Sequence, residues 1–168
     1  MRKAGKSHFP RLFCVHFQKG CVMNPKFIKR IVAHYVRERG VPYFGPVRDP
    51  REAAERFRFL EIRDREEFIS LHLDKGNRPI CWDRVSMGTL SETCVHPREV
   101  FKTALLSNAS AMIFMHNHPS GRVEPSPEDR NLTRKLLEAA AILEIKILDH
   151  LIIGEEGSYF SFQEHGLI

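Results

Sequence analysis

The chain has 168 residues, 42% hydrophobic and 28% charged, ordinary proportions for a globular domain with a real core. No apolar run reaches the roughly 18 residues of a membrane span, and the basic N-terminus lacks the apolar centre and small-residue cleavage site of a signal peptide, so a cytoplasmic protein with no membrane contact is expected. The net charge of +5 hides an asymmetry: residues 1–40 carry 10 Lys/Arg against one acid, and residues 41–168 carry 16 against 20.

In residues 1–23, Cys14, His16 and Cys21 fit no common zinc spacing. With Cys81 and Cys94 they form no C-x-x-C pair, so reduced thiols are expected. Asn24-Pro25 opens a helix as cap and first helical residue. Phe27, Ile28, Ile31, Val32, Tyr35 and Val36 form its apolar stripe, and Gly40 ends it. Its other face is basic. Residues 1–40 therefore suit a weak nucleic-acid contact, or serve solubility alone. Residues 40–48 read as a Gly/Pro linker dividing an arm, 1–48, from a core domain, 49–168.

Asp49-Pro50 repeats the cap-then-proline signal, and Ala53, Ala54, Phe57 and Leu60 mark the buried side of a second helix. Phe68 to Asp74 is a strand, Lys75 to Arg78 a turn, and Ile80, Trp82, Val85 and Met87 carry the returning strand. Thr93 to Val95 is a brief third strand. Pro97 to Ser107 is a helix with Val100, Phe101, Ala104 and Leu105 inward. Ser110 to His116 is an apolar strand. Pro127 to Leu143 is a helix with Leu132, Leu136, Leu137, Ala140 and Ala141 inward. Ile145 to Ile153 and Ser158 to Phe162 form a second hairpin. Strands interleaved with helices predict an α/β (α+β) mixed sheet with helices packed on it.

The chemistry concentrates between Met115 and Asp129. His116 and His118 are spaced i, i+2, so on a strand they share one face. Pro119 cannot donate to a ladder and ends the strand there. Ser126-Pro127-Glu128-Asp129 opens the next helix, so the Asp129 carboxylate sits on its first turn. Two imidazoles and a carboxylate are a three-ligand catalytic zinc set, its fourth position left to water. Ser126-x-x-Asp129 also has the form of a capping box. Ser126 can do both jobs, capping the helix and offering its hydroxyl to an oxyanion. A metal hydrolase further needs a carboxylate that accepts a proton without ligating the metal. Glu66 and Glu67, at the start of the first core strand, are the candidates. Alternation along the strand places Glu66 with Phe68 on one face and Glu67 on the other. His150, mid-strand after Asp149, either packs in the core or supports a ligand from behind. Trp82 and Cys94 read as core residues.

His116-x-His118, then Ser126 and Asp129, resembles the JAMM (MPN+) signature of zinc metalloisopeptidases. The motifs Leu71-His72-Leu73-Asp74, His96-Pro97-Arg98-Glu99-Val100, His116-Asn117-His118-Pro119-Ser120-Gly121 and Asp149-His150-Leu151-Ile152-Ile153-Gly154 are similar to the bacterial RadC branch. The resemblance runs from about residue 49 to the C-terminus. It implies a JAB/MPN-type, cytidine-deaminase-like fold, a curved mixed sheet flanked by helices. It implies zinc ligands at His116, His118 and Asp129, Glu66 acting on the water, and Ser126 stabilising the tetrahedral intermediate. The expected function is a zinc-dependent metallohydrolase acting on a peptide or protein. The alternative is a DNA-repair or nucleic-acid-associated protein in which hydrolysis is secondary. Residues 1–48 lack the Gly-rich turns of the helix-hairpin-helix region that precedes the domain in the commoner RadC layout.

Overall fold

The computed structural model describes residue 35, residues 44–88 and residues 95–168. The predicted helix from Asn24 to Gly40, the Cys14, His16 and Cys21 stretch, and Thr93-Cys94 of the predicted third strand lie outside the described residues; Val95 itself is not in a strand. Within them, α1 (Pro50–Arg56) and a 3-10 turn (Arg58–Leu60) lead into β1 (Glu67–Leu73) and β2 (Pro79–Met87). Then come α2 (Pro97–Leu106), β3 (Ala111–Asn117), α3 (Pro127–Leu143), β4 (Lys146–Ile153) and β5 (Tyr159–Ser161). The fold is α/β, a mixed five-stranded sheet in the order β2-β1-β3-β4-β5. Only β3 and β4 run parallel, joined through α3, and the other neighbours are antiparallel.

Every residue of β1 and β3 is buried, which places these two strands at the centre of the sheet. Alternation divides their side chains between two layers. Ile69, Leu71, Leu73, Ile113 and Met115 face α1, packing with Ala53, Ala54, Phe57 and Leu60. Phe68, Met112 and Phe114 face the other way, onto Val100, Phe101 and Ala104 of α2 and Leu136 and Ala140 of α3. Each large side chain buried in this way contributes about 1.5–3 kcal/mol. Phe44 and Val47 belong to the first layer, so packing starts within the Gly/Pro stretch before α1.

Several local expectations are corrected. The second helix stops at Arg56, and Phe57 and Leu60 reach the core from the 3-10 turn. Leu105 and Ala141 are exposed rather than inward. Trp82 is partly buried, with its ring edge-on to Phe57 at 5.9 Å.

The site side of the sheet is its β1-start, β3-end corner. Phe68 pairs with His116 across the antiparallel β1–β3 ladder, and His116 pairs with Ile152 on β4. Residues just before β1, just after β3 and at the start of α3 therefore meet at one place.

Candidate metal centre

His116 is buried at the end of β3, and its ring stacks on Phe68 at 6.2 Å with 15° between planes. His118 lies one residue beyond the strand and is half-buried. The turn that carries it is closed by the Gly121 amide donating to the His118 carbonyl at 2.9 Å. Gly121 has φ +73°, and a Cβ there would lie 2.8 Å from the Glu155 side chain, so glycine is required. A Cβ on Gly154 would fall 2.4 Å from Val123 and 2.8 Å from the Gly121 carbonyl oxygen. This close approach seats the histidine loop against the β4–β5 connection.

Asp129 occupies the first turn of α3 and is buried. The capping box is present in full: the Ser126 hydroxyl oxygen accepts from the Asp129 amide at 3.1 Å, and the Ser126 amide donates to Asp129 Oδ2 at 2.8 Å. The Ser126 hydroxyl also donates to Oδ2 at 2.6 Å. Capping and ligation are not alternatives here, because the carboxylate held by the cap also faces the histidines. Asp129 Oδ1 lies 3.2 Å from His116 Nε2, and Oδ2 lies 3.3 Å from His118 Nε2. The two Nε2 atoms are 3.1 Å apart. One atom from each of the three residues falls within a 4.8 Å cluster, a set able to hold a metal ion. Two imidazole nitrogens and one carboxylate oxygen suit zinc in both donor type and number.

The electrostatics follow from this crowding. Burial alone would raise the Asp129 carboxyl. The His116 and His118 rings beside it, the charge of His116 and the Ser126 hydroxyl outweigh it and hold the group well below the usual carboxylate range. The Asp129 carboxylate raises His118 in turn, against the effect of burial. Glu66 is half-buried, and burial raises its carboxyl, opposed by His116 and reinforced by Asp129. Glu66 directly precedes β1, two residues before Phe68, which pairs with His116. Glu67 goes to the opposite face, buried and ion-paired with Arg84 Nε at 2.8 Å and Arg63 Nε at 3.4 Å.

The structure brings together His116, His118, Asp129, Ser126 and Glu66. Three further residues, unassigned or left open above, support them. Asn117 lies between the two histidines in sequence and is buried. Its Oδ1 accepts from the Glu67 amide at 3.0 Å and its Nδ2 donates to the Arg65 carbonyl at 3.0 Å, so it brackets Glu66 from both sides. The side chain extends the β1–β3 pairing one position past its last backbone pair, Phe68 with His116. The signal for this was period 2: a residue between two same-face histidines must point away from them. Fully buried His150 is pushed well below its ordinary value by burial, and its Nε2 lies 2.9 Å from His116 Nδ1. Thr133, one helical turn after Asp129, reaches His150 Nδ1 at 2.7 Å. An i, i+4 spacing from a ligand was the available signal.

Residues 47–167 match the RadC-like JAB domain family. Among similar proteins are UPF0758 proteins of Rubrobacter xylanophilus, 50% identical over 62% of this chain and 45% of the relative, and of Trichlorobacter lovleyi, 54% identical over 64% and 47%. The UPF0758 protein of Ralstonia nicotianae is 43% identical over 80% of this chain and 60% of its own length. The chain thus spans about half the length of the relatives it matches.

Proposed function

The chain belongs to the RadC-like JAB domain family, and from that premise we propose that it is a zinc-dependent amide hydrolase of peptidase or isopeptidase type. The observation that carries the reading is the meeting of His116 Nε2, His118 Nε2 and the Asp129 carboxylate within 4.8 Å, beside a half-buried Glu66 that is not one of them. A bound zinc ion would act as a Lewis acid, lowering the pKa of water to about 7 and polarising the carbonyl under attack.

The chain's own residues supply the rest. Glu66, raised by burial, is poised to accept the proton of the attacking water and return it to the leaving amine. Asn117 fixes the backbone on either side of it. Ser126 holds Asp129 through its amide and its hydroxyl; to serve an oxyanion, that hydroxyl exchanges its 2.6 Å bond to Oδ2 for one to the substrate oxygen. Phe68, stacked on the His116 ring, keeps water off its buried side.

The test is cleavage of a panel of peptide and isopeptide amides by the zinc-loaded full chain, with Glu66→Gln as control. Cleavage by the wild type, lost in the variant while zinc stays bound, supports the assignment. A variant cleaving as fast as the wild type would sink the role of Glu66. A zinc-loaded wild type that cleaves no amide would sink the hydrolase reading.

The basic arm supports a second, separable reading, a weak contact of residues 1–40 with nucleic acid. Ten Lys/Arg against one acid would give affinity that falls steeply with salt. DNA binding that is insensitive to salt, or unchanged when residues 1–40 are deleted, would remove it.

A further inference from the structure

We propose that Thr133 is a positioning residue that, acting through His150, holds His116 in the tautomer able to bind metal. This rests on the metal-centre reading above.

A neutral imidazole has one N–H and one lone pair, and only the lone pair can face a cation. For His118 the choice is settled directly: Nδ1 lies 2.9 Å from the Arg122 main-chain carbonyl oxygen, which can only accept. Nδ1 therefore carries the proton and Nε2 is free. For His116 the neighbour at 2.9 Å is another ring nitrogen, His150 Nε2, which can donate or accept. That contact alone decides nothing.

The decision is made further along. His150 Nδ1 contacts Thr133 Oγ1 at 2.7 Å, and Thr133 Oγ1 donates to the Asp129 main-chain carbonyl at 2.7 Å. The carbonyl is acceptor-only, so the one hydroxyl proton of Thr133 goes there. Oγ1 must then accept from His150 Nδ1–H. His150 Nε2 is left with its lone pair and accepts from His116 Nδ1–H. His116 Nε2 is thereby deprotonated and faces Asp129 and His118.

Running the chain backwards gives the opposite outcome. Thr133 would donate to His150, His150 Nε2–H to His116, and His116 would carry its proton on Nε2, where it blocks the metal. The Asp129 carbonyl is what separates the two directions. It belongs to a ligand residue, so the same helical turn supplies a metal-set carboxylate and the orientation of its partner. His150 sits among Phe68, Phe114 and Phe162, with ring centroids at 5.5, 6.0 and 4.8 Å, which fixes the plane of the relay.

The test compares the full chain with Thr133→Val, which keeps the buried shape but removes the hydroxyl, and Thr133→Ser, which restores it. Zinc affinity is read by competition with a chromophoric chelator. The expected result is a roughly 10- to 100-fold weakening in Thr133→Val and near wild-type affinity in Thr133→Ser. Nitrogen NMR of the metal-free wild type, where no cation dictates the tautomer, should find the His150 proton on Nδ1. Equal affinity in wild type and Thr133→Val, or a His150 proton on Nε2, would overturn the relay and leave the metal site standing. A wild type that binds no zinc would instead overturn the metal reading and the relay with it. Should Thr133→Val lose its cooperative melt, the NMR tautomer alone decides.

Discussion

Replacing Asn117 with alanine should separate metal binding from the placement of Glu66. The side chain makes two hydrogen bonds, from the Glu67 amide and to the Arg65 carbonyl, both 3.0 Å. Glu67 is buried, so its amide is left without a partner, at a cost of about 1–3 kcal/mol. Arg65 is exposed and its carbonyl can return to water, so that bond costs only its net value, about 0.5–1.5 kcal/mol. The sum is a loss of about 1.5–4.5 kcal/mol, measurable by urea denaturation. His116 stays on β3, so zinc content should be unchanged. Glu66 loses both anchors, and amide cleavage should fall towards the roughly 10²- to 10⁴-fold deficit of a missing general base. A variant within about 0.5 kcal/mol of wild type, a change no larger than at ordinary surface sites, would show that Asn117 holds nothing in place.

Three further outcomes are expected. Glu66→Gln should retain zinc by elemental analysis and lose roughly 10²- to 10⁴-fold in rate; loss of zinc would make Glu66 a ligand instead. Glu67→Gln should leave the rate alone but lower the melting temperature, because it uncouples the buried Glu67 carboxylate from the part-exposed Arg63 and Arg84; an unchanged melt with a slower rate would exchange the roles of the two acids. Buried His72 is pushed down to about 4, chiefly by burial. Its ordinary value is about 6.5, so the unfolded chain takes up a proton in this window that the folded chain refuses. Stability attributable to His72 should therefore be full above pH 6.5 and decline by about 3 kcal/mol as pH falls towards 4. Denaturation of wild type and His72→Gln at several pH values should show the difference shrinking over that window; parallel curves would acquit His72.

The sheet was legible because apolar alternation is local: β1, β3 and β4 each fall within a residue or two of their predicted limits. So was α3, whose cap, proline and apolar stripe agree with one another. The cluster of His116, His118 and Asp129 was legible from spacing, because period 2 on a strand and a carboxylate on a first turn leave little freedom. Alternation put Glu66 and Glu67 on opposite faces, and the family resemblance together with the Glu-x-Phe spacing selected Glu66. What remained hidden depends on pairing across the sheet. Nothing local says that the Asn117 side chain meets residues 50 and 52 positions earlier. Equally, Thr133 reads only as a helix residue, and the choice for His150 between core packing and support of a ligand stays open, until β3 and β4 pair in parallel. Buried His72 was hidden for the same reason: its partner Ser107 lies 35 residues away, at the end of α2. Inward assignments failed at Leu105 and Ala141, where the apolar stripe is wider than the surface that covers it.

The most direct test of the account is the zinc content and affinity of the purified full chain beside His118→Ala. The account predicts about one zinc per wild-type chain, from a three-ligand site, and none retained by the variant, while Cys81→Ser binds as the wild type does. Full zinc binding by His118→Ala, or none by the wild type, would contradict it.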